Sequence, residues 1–471
     1  MAGKDVKEVV VLGAGPGGYA AAFRAADLGL KVTLIDPEAN PGGVCLYRGC
    51  IPSKALLHLA EIKQTSAKAA EWGLAFKDPD VDAKKINRWK NKVIAKLTRG
   101  LGQLAKSRDI EYLRGRAKFT SKNKLEVDED AGGKLTLEFK HAIIATGSVA
   151  MTLPNVEIDH HVVMDAADAL ELKEIPGSLL VIGGGYIGLE LGSVYASFGC
   201  KVSIVEMTAD FLPGTDDDLI KGFEKANKGL FEAVYFETQV EAVNAEKGKA
   251  TVKLKTGGKI KEKKFDKILV AVGRQPNSAS LDLDKINPEM DEKGFLKVDV
   301  RQRTSIENIF AIGDITGEPL LAHKATHEGR VAAEAIAGKA GSAYDPMAIP
   351  FIVFTNPEIA WCGLTEIQAK EKDMKVKVER FPWSASGRAI TLGEETGMTK
   401  LILDAETGRV LGGGAVGKHA GVLIPEICLA IEMAATAEDL ALTIHPHPTL
   451  SETIMEAAEL FVGSPTHLPR K

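Results

Sequence analysis

VVVLGAGPGGYAAAFRAADLGLKVTLID, residues 9–36, decides the fold. Val9–Leu12 is a short apolar run, Gly13, Gly15 and Gly18 follow, and an alanine-rich stretch leads to Gly29 and a second apolar run that closes on Asp36. The order predicts strand, glycine turn, helix, strand and a terminal acid. The first glycine permits a tight turn, the second lets backbone approach a pyrophosphate, and the third lets the helix pack on the strand. The helix N-terminus then offers unpaired N–H groups and the positive end of a dipole to phosphate.

The pattern recurs as LLVIGGGYIGLELGSVYASFGCKVSIVE, residues 179–206. Gly183, Gly188 and Glu206 each lie 170 positions after Gly13, Gly18 and Asp36, and Gly185 repeats Gly15. Two such units in register predict two dinucleotides on one chain. A carboxylate ending the second strand accepts from ribose hydroxyls and repels a 2′-phosphate, so Glu206 predicts NAD over NADP.

Related strand ends stand between and after these units. Ile143–Gly147 and Val270–Arg274 are apolar runs closing on small residues, and Phe310–Asp314 ends on glycine and a carboxylate. One domain is expected to end near residue 150 and the next near 278. From about 350 the texture changes to alternating strands, among them 399–403 and 410–413, with helices predicted over 422–435 and 451–461. No glycine fingerprint occurs there, which predicts a packing or dimerisation domain.

Composition limits the function classes. The chain has 471 residues, too many for one core, with 45% hydrophobic and 26% charged residues. A formal net charge of -5 points away from nucleic acid. The Lys-rich run 259–264 predicts a solvated hairpin. No apolar run reaches the ~18 residues of a membrane span, and Met1–Asp5 opens no signal-peptide pattern, so a cytoplasmic location is expected.

In a reducing compartment, Cys45 and Cys50 in CLYRGC read as catalytic, redox-sensing or metal-binding more readily than as a staple. On an ideal helix their Cα atoms would stand roughly 8–9 Å apart, whereas a disulfide needs about 6.8 Å or less. A bond between them requires a distorted or looped segment, which Gly49 permits. A helix starting near Cys50, with Pro52 in its first turn, would lower a thiolate pKa. A metal site lacks further ligands at recognisable spacing, and Cys200, Cys362 and Cys428 are scattered singly as small core residues. Thiol chemistry also needs a base, and His445-Pro446-His447-Pro448 supplies histidines on pinned backbone, with Glu452 placed to orient an imidazole.

Together, Gly13–Gly18, Gly42–Lys54, Gly183–Glu190, Ala271–Asn277, Ala311–Asp314, Leu321–Lys324 and His445–Glu452 resemble the dihydrolipoamide dehydrogenases, within the FAD-dependent pyridine nucleotide–disulfide oxidoreductases. The resemblance spans essentially the whole chain. It implies an α/β fold with two Rossmann-like domains and a C-terminal α+β interface domain. The divisions would be an FAD domain over 1–150, an NAD domain over 151–278, a central domain over 279–350 that completes the FAD domain, and an interface domain over 351–471.

The resemblance further implies a homodimer with each active site built from both subunits. Cys50 would be the flavin-proximal thiol, Cys45 the interchange thiol, and His447 of the other subunit the acid/base, oriented by Glu452. Lys54 would stand by the flavin and pair with Glu190. FAD contacts would come from Gly13, Gly15, Gly18, Asp36, Gly43, Lys54, Ala117, Thr146, Gly147, Asp314 and Ala322. NAD contacts would come from Gly183, Gly185, Gly188, Glu190, Glu206, Val240, Gly273 and Arg274, with no metal. His447–Pro448 is a candidate cis peptide.

The implied reaction oxidises protein-bound dihydrolipoamide through a Cys45–Cys50 disulfide and FAD and reduces NAD⁺. Its partners would be lipoyl and peripheral-subunit-binding domains of 2-oxoacid dehydrogenase complexes, with no nucleic acid or membrane. Glutathione- or mercuric-reductase-like chemistry is the nearest alternative, and a mainly docking role within a complex is another. The family usually carries Asn-Val where this chain has Tyr47-Arg48, and Glu where it has Asp36. Adjacency predicts that the Arg48 cation raises the thiolate fraction of the reduced pair.

Overall fold

The structure, a computed structural model, describes residues 6–246, 248–463 and 465–469. Met1–Asp5 therefore lie outside the described residues. The strand Val6–Leu12 pairs in parallel with Val32–Asp36 on one side and Lys134–Ile144 on the other. Glu111–Ser121 extends the sheet beyond the second strand, and Ile309–Ala311 adds beside residues 142–144. An antiparallel strand, Lys124–Glu129, bridges the far ends of Glu111–Ser121 and Lys134–Ile144.

Both faces of this sheet are covered. Val9 and Val11 join one core with Ala21 and Ala22, while Val10 and Leu12 join another with Phe119 and Leu281. A strand buried on both faces reads as a continuous apolar run, which is why VVVL lacks alternation. Helices Pro16–Asp27 and Ala322–Ile336 pack together over the first of these faces. Residues more than 300 positions apart, such as Ala21 and Ala332, thus share one core layer.

The second glycine unit opens a sheet of five parallel strands ordered Ala233–Tyr235, Lys201–Val205, Ser178–Ile182, Lys267–Val270 and Val163–Met164. A three-stranded antiparallel meander follows, and its outer strand, Lys259–Phe265, carries the Lys-rich run with its side chains largely exposed. The short strands Ser148–Ala150 and Arg274–Pro276 pair antiparallel where the chain leaves the first sheet and returns to it.

The C-terminal part is a five-stranded antiparallel sheet ordered Phe351–Val353, Glu358–Gly363, Val410–Gly417, Met398–Asp404 and Val376–Pro382. The helix expected over 422–435 runs from Ala420 to Glu432. It stops because Ala434 takes the left-handed conformation and a Thr436–Asp439 capping box starts a separate helix, Ala437–Leu442. The last helix spans Glu452–Val462. Lys400, only 1% exposed, ties this sheet to the preceding unit through Asp216 and Asp218 at 2.7 Å each, and pairs within its own part with Glu366 at 2.8 Å. No helix among the described residues is long and apolar enough to cross a membrane.

Candidate active site

A cavity of about 350 Å³ runs from the first glycine turn to the cysteine segment. Its rear wall depends on absent side chains. A Cβ on Gly18 would lie 1.8 Å from Gly13 O, and one on Gly43, which has φ +59°, would lie 2.4 Å from Gly15 Cα. The helix and cysteine segment can therefore close on the turn, leaving a groove lined by backbone suited to a pyrophosphate. Gly188 repeats the device, its Cβ position being 2.1 Å from Gly183 O.

The two acids also occupy equivalent places. Asp36 Oδ2 accepts from Ala14 N at 2.7 Å, and Glu206 Oε2 accepts from Gly184 N at 2.6 Å. Each carboxylate thus grips the amide just after its unit's first glycine. Burial pushes the Asp36 carboxyl up, against the pull of the Ala14 and Glu38 amides.

The cysteine segment consists of two helices, Gly43–Arg48 and Cys50–Lys68, broken at Gly49. Gly49 lies at φ -143°, ψ -113°, so Cys45 and Cys50 do not share one regular helix. A Cβ there would be 3.0 Å from Val44 O. Both thiols are free and in hydrogen-bonding contact. Cys50 is exposed to the cavity at the start of its helix. Its pKa is lowered to about 7, chiefly by the hydrogen bond from Cys45; burial opposes this and the Lys54 cation assists. The same contact, with burial, pushes the Cys45 thiol up. One thiolate at a helix N-terminus beside one protonated thiol is an asymmetric pair suited to exchange.

Arg48, expected to act on that asymmetry, is paired with a carboxylate of its own. Its Nη2 lies 2.6 Å from Glu38 Oε1, and it stands half-exposed. Arg48 closes the first helix and lines the same cavity, with Glu38 pairing its guanidinium there. Tyr47 is held outward as well, its hydroxyl donating to Asn40 O at 3.0 Å.

The cation near the thiols is Lys54, one turn into the second helix. Its Nζ lies 2.8 and 3.0 Å from the two oxygens of Glu190, which also accepts from Ser53 Oγ at 2.7 Å and Phe354 N at 3.0 Å. Glu190, expected among the NAD contacts, lines the same cavity as Cys50. Arg274, expected in the same group, also turns to this cavity, donating to Ser148 O and Oγ at 2.6 and 2.7 Å. Ser148 Oγ in turn donates to Asp314 Oδ2 at 2.5 Å. Arg274 opens the strand that pairs back with Ser148–Ala150, opposite Ala150, and its guanidinium reaches Ser148 from there.

Gly15, Ala117, Thr146, Gly147 and Ala322 line the cavity, whereas Gly183, Gly185, Gly273 and Val240 lie outside it. Val240 packs against the core beneath the second sheet. Two contributors escaped the sequence reading. Tyr186, directly after Gly185, lines the cavity and is 41% exposed at its mouth. Glu328 accepts from Gly313 N at 2.6 Å and pairs with buried Lys324 at 2.8 Å, fixing the turn before Asp314. The i,i+4 spacing of Lys324 and Glu328 was the available signal.

His447 is not in this cavity. It stands 73% exposed, its Nδ1 2.8 Å from Glu452 Oε1, after which comes a cis His447–Pro448 bond. Thr449 N donates to Glu452 Oε2 at 2.6 Å. Burial raises the Glu452 carboxyl, yet Thr449 and His447 together hold it below its usual range. Nearby, Val422, Leu429, Met433, Leu442 and Ile444 are exposed apolar side chains. His447 and this apolar face are both exposed on the described surface.

Two clusters among the described residues have metal-like spacing. Lys400 occupies the Asp216, Asp218 and Glu366 oxygens, and Asp165 and Asp168 form a capping box next to His160. Neither cluster meets the cavity.

Comparison with known proteins agrees with this architecture. Residues 7–329 match the model of the pyridine nucleotide-disulphide oxidoreductases, and residues 349–458 match that family's dimerisation domain. The chain is 49% identical to the dihydrolipoyl dehydrogenase of Vibrio cholerae over 99% of this chain and 98% of the relative. Identity to that of Geobacillus stearothermophilus is 44%, over 98% of each. Among solved structures, LpdA of Mycobacterium tuberculosis superposes with a TM-score of 0.89 at 25% identity, over 96% of this chain and 99% of that one. The HOCl-induced flavoprotein disulfide reductase RclA of Escherichia coli, in its Cu(II) complex, gives 0.86 at 29%, over 97% and 99%. In its redox-active and dimerisation parts alike, the chain belongs to the pyridine nucleotide-disulphide oxidoreductase family.

Proposed function

We propose that the protein is a dihydrolipoyl dehydrogenase, which oxidises a dihydrolipoyl dithiol with NAD⁺. The observation that carries this reading is the asymmetric Cys45–Cys50 pair opening on the same cavity as Lys54 and Glu190. In the resting enzyme the two cysteines form a disulfide. A substrate thiolate attacks Cys45 Sγ; one sulfur–sulfur bond forms, the Cys45–Cys50 bond breaks, and Cys50 leaves as thiolate. The second substrate sulfur displaces Cys45, releasing the cyclic disulfide. His447 of the second subunit takes up the substrate thiol proton, and Glu452 orients its ring. Lys54 favours the Cys50 thiolate, and Glu190 holds Lys54 in place. FAD and NAD, when bound, supply the hydride chemistry that carries the electron pair onward.

The groove from Gly15 to Asp314 fits FAD, with Asp36 at its ribose end and Lys54 at its flavin end. The glycine turn Gly183–Gly188 would hold the NAD pyrophosphate, with Glu206 disfavouring a 2′-phosphate. We assign residues 1–150 and 279–350 to the FAD unit, 151–278 to the NAD unit and 351–471 to the dimer interface. The exposed apolar face and the open His447 support a homodimer. Lipoyl and peripheral-subunit-binding domains of 2-oxoacid dehydrogenase complexes are the proposed partners, and the cytoplasm the proposed location. The holoenzyme should reduce NAD⁺ with dihydrolipoamide, at least about tenfold faster than NADP⁺. Turnover of glutathione disulfide with NADPH, and none of dihydrolipoamide, would replace this reading with the reductase alternative.

A further inference from the structure

Outside the cavity, the fold brings together a second pair of thiols that the sequence leaves scattered. Cys362 sits on the strand Glu358–Gly363 and is 1% exposed, whereas Cys428 sits on the helix Ala420–Glu432 and is half-buried. The helix lies over the strand. Cys362 Sγ is 4.0 Å from Ile424 O, the carbonyl one helical turn before Cys428 and on the same helix face. Cys428 Sγ lies 3.6 Å from Ala348 O, and both cysteines pack in the same core beneath the helix. Cys200, by contrast, is buried in a different core.

We propose that Cys362 and Cys428 are a second dithiol/disulfide pair, oxidised by hydroperoxides, whose bond ties the helix Ala420–Glu432 to the sheet beneath it. The contact with Cys362 holds the Cys428 thiol below its usual range and pushes Cys362 up, so the more accessible sulfur is also the better nucleophile. The Cys428 thiolate attacks the peroxide: a sulfur–oxygen bond forms, the oxygen–oxygen bond breaks, and hydroxide leaves. The Cys362 sulfur then displaces that oxygen as water, forming the sulfur–sulfur bond. The two thiols lose two protons and two electrons in all, and hydrogen peroxide becomes two waters.

The helix so tied carries Val422 and Leu429 on its exposed side, with Met433 exposed just beyond its end. It also carries Glu426, whose Oε1 is 2.7 Å from His445 Nε2, two residues before His447. Oxidation would therefore stiffen the face proposed for dimerisation without using the cavity thiols.

The test uses the reduced holoenzyme, exposed to hydrogen peroxide at about one equivalent, blocked with N-ethylmaleimide and digested without reductant. A peptide joining Cys362 to Cys428 is expected, about 2 Da lighter than its two parts and split by dithiothreitol. It should appear beside the separate Cys45–Cys50 peptide, and the oxidised holoenzyme should melt at a higher temperature than the reduced one. Cys362→Ser should leave Cys428 trapped by dimedone as the sulfenic acid. Should that variant fail to fold, the wild-type map decides alone. Cys428 recovered as its maleimide adduct, as a sulfinate beside free Cys362, or joined to a second Cys428 would each overturn the proposal.

Discussion

Lys54 Nζ lies 2.8 Å from Glu190 Oε2 although the residues are 136 positions apart. The pair joins the cysteine helix to the helix of the second glycine unit. Glu190 is 4% exposed and receives three other bonds, from Lys54 again, Ser53 and Phe354. Its charge raises the Cys50 pKa, whereas that of Lys54 lowers it. Glu190→Gln should therefore move the Cys50 alkylation midpoint downward in the reduced protein, and Lys54→Met should move it upward. Lys54→Met also strands a buried carboxylate and should cost about 3 kcal/mol in urea unfolding.

In the wild type, a Cys50 pKa of about 7 makes the thiolate dominant above that pH and scarce below it. Iodoacetamide modification of Cys50 in the reduced protein should fall about tenfold from pH 8 to pH 6. Cys45, shifted upward, should show no ionisation step in that window. Arg48→Val should leave the profile unchanged, because Arg48 is paired with Glu38.

The third glycines should separate the two dinucleotide sites. At Gly18 a Cβ meets Gly13 O at 1.8 Å, and at Gly188 one meets Gly183 O at 2.1 Å. Gly18→Ala should lose bound flavin, read from the visible absorbance relative to protein. Gly188→Ala should retain flavin and lose NAD⁺ reduction by about 100-fold or more.

His447→Gln should slow dihydrolipoamide oxidation by about 10²- to 10⁴-fold while sparing NADH oxidation by ferricyanide. Mixing it with Cys45→Ser under conditions that exchange subunits should restore roughly 25% of wild-type activity, since half the dimers are then mixed and each has one intact site. No recovery would place both residues in one subunit's site.

Much of this organisation was legible because glycine spacing carries its own chemistry. Gly13 and Gly183 announce turns, and Asp36 and Glu206 lie where a second parallel strand must end. Side-chain direction was less legible. Arg48 neighbours Cys50 in sequence but follows Glu38, and Arg274 follows a strand register that no periodicity reveals. Cys362 and Cys428 meet only because a strand passes beneath a helix, which local sequence does not encode. Glu190 was expected both to pair with Lys54 and to contact NAD; the fold shows the pair with Lys54 and sets it in the cavity of Cys50.

Anaerobic titration of the flavin-loaded enzyme with dihydrolipoamide tests the central claim most directly. Reduction by one equivalent should develop long-wavelength absorption from a thiolate against oxidised flavin, and Cys50→Ser should abolish it while Cys362→Ser leaves it intact. Bleaching of the flavin without that band, or its persistence in Cys50→Ser, would contradict the role given to the Cys45–Cys50 pair.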